Sequence, residues 1–314
     1  MEPDDRPDEP ESADPGQAED LLAALGGAPE DDTVPDSQPV ESQVVEPAPP
    51  ACRLVGIAVA ADGHEILQEV SIDLPAHACT VIMGPSGSGK STLLKTAAGL
   101  IVPDTGYVEI LGTDPSHAGE RELERLRARN GFVFQDDALW QNLSLLQNLT
   151  LPLQYHRHDL ASDSVTERIN RLVGELGATR RLEMRPANVS AGERKIISFV
   201  RAVVGDPELL FLDEPTTSVD GEHADLMIRK LKELKERSIT LVAVTHNARI
   251  ASQLADYVVV LKEGRVLRFG SLHEISRSNE PEIERILTDV LSETATYDGD
   301  ILELLDPDTN TYLT

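Results

Sequence analysis

Apolar positions fall into two kinds of run. The first is short, continuous and bounded by turn residues. Thr80–Met83 and Leu209–Leu212 are of this kind, and Ile239–Val244 is similar. Such runs read as strands buried on both faces of a parallel sheet. The second kind repeats every three or four residues. Val165, Ile169, Leu172, Val173 and Leu176 share one helix face, as do Ala224, Met227, Ile228, Leu231 and Leu234. Alternating stretches at 54–59, 70–74 and 107–112 read as partly exposed strands, with a turn at Asp62-Gly63. Glu120 to Arg129 is a charged helix, Gly131–Phe134 a strand, and 257–261 with 265–269 a hairpin around Glu263-Gly264. Strands interleaved with helices imply an α/β core. Residues 137–190 are rich in leucine without strand alternation, and read as a helical subdomain inserted between strands.

Charge divides the chain. Of the net −27, residues 1–50 carry −14, from fifteen Asp/Glu and one Arg, along with ten of the twenty prolines and no aromatic residue. This stretch reads as a disordered acidic arm, with 51–275 as the folded domain and 276–314 as a C-terminal helix and acidic tail. The apolar positions Ile283, Ile286, Leu287, Val290 and Leu291 give that helix one face, which by itself reads as a solvated terminal helix. The acidic balance and the lack of a basic stripe argue against nucleic acid as a partner. Two cysteines in 314 residues make no disulfide framework and point to a reducing cytosol. No run reaches the ~18 apolar residues of a membrane span, so membrane contact is expected only through a partner.

One stretch carries specific chemistry. Gly84-Pro85-Ser86-Gly87-Ser88-Gly89-Lys90-Ser91-Thr92 matches G-x-x-x-x-G-K-[ST], between the strand 80–83 and a helix start expected at 93–98. Glycines let backbone N–H groups approach phosphate oxygens, and the helix N-terminus adds partial positive charge. Lys90 is expected at the β- and γ-phosphates, and the Ser91 hydroxyl at Mg²⁺. Asp213-Glu214 ends the apolar strand 209–212, where parallel sheets present ligand groups. Asp213 is placed to hold Mg²⁺, and Glu214 to accept a proton from an attacking water. The plainer reading of the pair is an acidic helix cap.

These residues, taken in order, resemble the nucleotide-binding subunit of ATP-binding-cassette (ABC) transporters over about 53–275. Gln135 in Phe134-Gln135-Asp136 resembles that family's glutamine loop. Val189-Ser190-Ala191-Gly192-Glu193 stands where its signature, usually L-S-G-G-Q, is found. Ser218-Val219-Asp220 resembles the D-loop, and His246 in Val244-Thr245-His246-Asn247 the switch histidine. The resemblance implies a P-loop NTPase cassette with a mixed parallel core sheet, an N-terminal antiparallel β subdomain and the inserted helical subdomain. It implies an ATPase using ATP and Mg²⁺, with two subunits pairing head to tail. Gln135 would then contact Mg²⁺ or the attacking water, Ser190 and Gly192 the γ-phosphate across the dimer, His246 the γ-phosphate and Glu214, and Asp220 the opposite subunit. Read singly, Gln135 and His246 are ordinary polar strand-end residues and Ser190 is a helix cap.

Two departures stand out. The signature carries Ala191 and Glu193, and a negative charge facing the nucleotide would weaken binding. No aromatic lies near Ala61, where the family places its adenine-stacking residue; His64 is a poor substitute. The runs 134–140 and 149–153 resemble those of Mla/Mce-type lipid-transport ATPases. That implies a homodimer on the cytoplasmic face of the inner membrane, docked on an integral permease that moves phospholipid or a related lipid. It also implies that a C-terminal extension such as 276–314 can reach the neighbouring subunit. A lipoprotein-release or efflux ATPase is the alternative transporter, and a non-transport ABC ATPase of DNA repair or translation the alternative class.

Overall fold

The computed structural model describes residues 49–156, 162–178, 181–278 and 280–292. The acidic arm up to residue 48 and the tail beyond 292 lie outside the described residues. Two sheets form. Strands β1 (Cys52–Ala61), β2 (His64–Leu74) and β4 (Thr105–Ile110) make an antiparallel sheet in the order β2-β1-β4. The other sheet has the order β5-β6-β7-β3-β8-β9, formed by β3 (Cys79–Met83), β5 (Asn130–Val133), β6 (Leu209–Asp213), β7 (Thr240–Val244), β8 (Tyr257–Lys262) and β9 (Arg265–Ser271). Its first five strands are parallel, and β9 returns antiparallel to β8.

Every residue of β3, β6 and β7 is buried. Side chains alternate across a strand, and so divide between two cores. Val81, Met83, Leu210, Leu212, Leu241 and Ala243 face one; Ile82, Leu209, Phe211, Val242 and Val244 face the other. The first core is covered by the helical side of the molecule, the second by the antiparallel sheet and helix α1 (Lys90–Ala97). That helix starts at Lys90, inside the phosphate-loop motif rather than at the expected residue 93. The strained glycine-rich turn ends at Gly89, whose φ of 99° makes it a left-handed cap.

The described helices continue with α2 (Glu120–Arg129), α3 (Leu145–His156), α4 (Ser162–Glu175), α5 (Ala191–Val203), α6 (Gly221–Glu236), α7 (Ala248–Leu254), α8 (Leu272–Ser276) and α9 (Pro281–Ser292). On α4, Ile169, Leu172 and Val173 are buried, as their spacing requires. On α9, Ile283, Ile286, Leu287 and Val290 are buried in the first core. The reading of a solvated terminal helix is therefore corrected, because these positions pack on their own domain; the rest of the extension, which the other reading sends to a neighbouring subunit, lies outside the described residues. No helix among the described residues is long and apolar enough to cross a membrane.

Asn148 is fully buried in α3. Its Oδ1 accepts from Trp140 N at 2.8 Å, and its Nδ2 donates to Trp140 O and Ser144 O at 3.1 and 3.0 Å. Truncation strands Trp140 N, while Trp140 O and Ser144 O keep the backbone donors Leu143 N and Asn148 N, so with the cavity left behind Asn148→Ala is expected to cost roughly 1–3 kcal/mol. Urea unfolding of the full chain measures it, and a loss under about 0.5 kcal/mol contradicts the argument.

Candidate active site

The order β5-β6-β7-β3 fixes the site. These four strands run parallel, so their carboxyl ends share one edge spanning about 14 Å at the usual strand spacing. Gln135 follows β5, Asp213 ends β6 with Glu214 next, His246 follows β7, and the phosphate loop follows β3. Residues as far apart in sequence as Ser86 and His246 thus line one cleft of about 390 Å³, which includes Gly87, Gly89, Lys90, Ser91, Thr92, Gln135 and Glu214 as well.

Lys90 Nζ donates to the carbonyls of Gly84 and Pro85, each at 2.8 Å, holding the loop around its own ammonium. Gly89 is required by packing as well as by φ: a Cβ there would lie 2.8 Å from Ile66 O. Ser91 Oγ donates to Asp213 Oδ1 at 3.0 Å. Asp213 is fully buried, and among the described residues its Oδ2 has no hydrogen-bond partner. A buried unpaired carboxylate oxygen beside a hydroxyl suits a hard divalent cation with oxygen ligands, so these residues fit Mg²⁺.

Glu214 has a left-handed backbone, φ 47°, a strained state that persists where surroundings enforce it. His246 N lies 3.4 Å from its Oε2 and His246 Nε2 lies 3.4 Å from its Oε1. Burial pushes the Glu214 carboxyl up to about 7; the His246 N–H opposes this and the Asp213 charge adds to it. Burial also raises Asp213, against the Ser91 hydrogen bond. The acidic pair is not a helix cap, since the next helix begins at Gly221.

Ser190, Gly192 and Asp220 stand apart from this cleft's lining. Ser190 caps α5 in a capping box. Its Oγ accepts from Glu193 N at 3.1 Å, while Glu193 Oε2 lies 3.1 Å from Ser190 N and 3.3 Å from Ser190 Oγ. Glu193 is thus folded back on the cap, and the plainer reading of Ser190 also holds as local structure. Gly192 packs on the 218–220 turn, where a Cβ would lie 2.9 Å from Ser218 O. Asp220 caps α6 and pairs with His223 Nδ1 at 2.8 Å, and His223 Nε2 reaches Gly177 O at 3.3 Å. Among the described residues no Phe, Tyr or Trp lines the cleft; Ile66 does.

A family model described as "ABC transporter" matches residues 67–217. The probable ribonucleotide transport ATP-binding protein mkl of Mycobacterium leprae is 32% identical over 241 residues, covering 76% of this chain and 68% of that protein. The chain belongs to the ABC transporter ATP-binding family. It is an ATPase, and its cofactors are ATP and Mg²⁺. The sulfate/thiosulfate import ATP-binding protein CysA of Nocardia farcinica is 34% identical over 67% of this chain and 61% of its own length. Among solved structures, the ATP-binding cassette MJ0796, described as dimeric and bound to ADP and Pi after hydrolysis, superposes with a TM-score of 0.65. It is 28% identical, over 70% of this chain and 98% of that one.

The raised Glu214 carboxyl has a thermodynamic consequence. The folded chain keeps this proton up to about 7, whereas the unfolded chain releases it near 4.5. Its contribution to stability is therefore complete at low pH and is lost as pH rises through 7. Glu214→Gln, which cannot ionise, is expected to melt a few degrees above the parent at pH ~8 and together with it at pH ~4.5. Thermal scans at the two values check this; equal Tm at both contradicts it.

Proposed function

We propose that this ATPase drives a membrane permease as a head-to-tail pair, and that Glu214, His246, Gln135, Ser91 and Asp213 carry the chemistry. What supports the pairing is the split described above: the phosphate-loop cleft lies apart from Ser190, Gly192 and Asp220. A second chain, taken to be another copy, brings those residues to the open side of the cleft. Lys90, the loop N–H groups and the N-terminus of α1 receive the triphosphate and offset its charge. Ser91, Asp213 and Gln135 would hold Mg²⁺; bound there, the ion would supply Lewis-acid polarisation of the phosphates. Glu214 takes the proton of the attacking water, and a carboxyl near neutrality suits that task. His246 orients Glu214. Ser190 and Gly192 N–H of the other copy meet the γ-phosphate at the start of α5, and Asp220 meets the opposite chain.

The permease is expected on an apolar groove of about 520 Å³ lined by Phe134, Ala138, Trp140, Leu151, Pro152 and Tyr155. Trp140 is 58% exposed there and Tyr155 57%. That docking would put the chain on the cytoplasmic face of the inner membrane. The lipid assignment rests on the resemblance of 134–140 and 149–153 to lipid-transport ATPases. The names of the relatives given above specify ribonucleotides and sulfate or thiosulfate. Extraction of the purified permease complex is expected to yield bound phospholipid; ribonucleotide in its place would reject the lipid reading.

Two enzymological outcomes follow from the assigned roles. Glu214→Gln is expected to lower kcat at least ~100-fold while ATP-loaded dimers accumulate on size exclusion, and normal turnover removes Glu214 from its role. Glu193→Gln keeps an oxygen for the Ser190 cap but removes a negative charge three residues from Ser190 and next to Gly192, the groups assigned to the γ-phosphate. ATP-dependent dimerisation is expected to tighten about threefold or more, and unchanged affinity and turnover would refute the charge argument.

A further inference from the structure

Helix α5 sends three cations into the loop that follows β5. Lys195 is only 2% exposed. Its ammonium donates to Phe134 O at 2.9 Å and Gln135 O at 2.7 Å, and lies 3.1 Å from Asp137 Oδ1. Arg201 donates to Ala138 O at 2.8 Å and Asp137 O at 3.2 Å. Arg194 Nε stands 3.6 Å from Asp137 Oδ2, while its Nη1 donates to Val189 O at 2.9 Å, the residue before Ser190. Asp137 and Ala138 both have left-handed backbones, φ 64° and 47°. Consecutive non-glycine residues hold such a conformation only when their surroundings dictate it.

Packing alone does not account for Lys195. It lies one turn before the buried Phe199, among Ile196, Ile197 and Val200, at a place where a leucine or methionine would complete the core. A buried ammonium is retained only where its partners replace water, and here the partners are the carbonyls of the two peptide bonds that flank Gln135 and the acidic side chain of Asp137. The clamp holds the backbone of Gln135 while its side chain lines the nucleotide cleft beside Glu214 and His246.

We propose that Lys195, braced by Asp137, is a positioning residue for hydrolysis: it sets where Gln135 stands in the cleft without touching the nucleotide. This rests on the role given to Gln135 above. Steady-state ATPase assays on the full chain, with nucleotide binding measured separately, test it. Lys195→Met keeps the length and removes the charge. It is expected to lower kcat about tenfold, since small misplacements of a catalytic group carry costs of this order. KM for ATP should stay within about twofold, because the phosphate loop is untouched. The double variant Gln135→Ala/Lys195→Met should be no slower than Gln135→Ala, since a clamp has nothing to place once the side chain is gone. Asp137→Asn, which tolerates the left-handed backbone, should show a smaller loss with the same split and decides the matter if Lys195→Met does not fold. Parental kcat in the folded variant, even with a lowered Tm, overturns the clamp, as do fully multiplicative losses in the double variant. A slow Gln135→Ala beside an unaltered Lys195→Met sinks the clamp alone. Parental turnover by Gln135→Ala overturns the reading of Gln135 and this inference with it.

Discussion

Two adjacent carboxylates are held out of water at the tip of a strand buried on both faces. Asp213 is fully buried and Glu214 nearly so, beside Lys90 and the N-terminus of α1. Isolated, such a pair would be prohibitively costly. The fold tolerates it because the Ser91 hydroxyl, the His246 N–H and the neighbouring lysines oppose the desolvation. The arrangement is also receptive: a carboxylate oxygen without a partner and a cluster of backbone donors are what a cation and a polyanion would each complete.

The rest of the architecture serves that tip. Strands β5, β6, β7 and β3 must be neighbours and parallel for Gln135, Asp213, Glu214, His246 and the phosphate loop to meet. Parallel neighbours need both sheet faces covered, which explains the two cores. α1 and the antiparallel sheet close one face, and the helices around α5 close the other. α5 does more than cover: its N-terminus carries Ser190 and Gly192, and its cationic residues grip the loop carrying Gln135. The Glu193 side chain turns back on the Ser190 cap, so the charge replacing the usual glutamine is held in the capping box of this chain.

Much of the site was legible in the sequence because its signals are local. Gly84–Thr92 lies within one strand–loop–helix unit, so its spacing alone carries its chemistry, and Asp213-Glu214 is marked by the apolar run before it. Lys195 was not legible. It sits in a stretch whose buried face is mostly apolar, and a lysine in such a helix reads as a surface residue. Its meaning comes from carbonyls some sixty positions away. The fate of α9 was equally hidden, since an apolar helix face does not name what it packs against.

By itself, then, the sequence determined the α/β class, the phosphate loop, the acidic strand tip and the identity of the residues that follow β5 and β7, because each depends on neighbours along the chain. Tertiary structure decided what depends on neighbours in space. It set the strand order that gathers four carboxyl ends on one edge, the raised proton affinity of Glu214, the buried grip of Lys195 on the Gln135 backbone, and the separation of Ser190 and Gly192 from the cleft. These are consequences of burial and of long-range pairing, and periodicity in one chain carries no record of either.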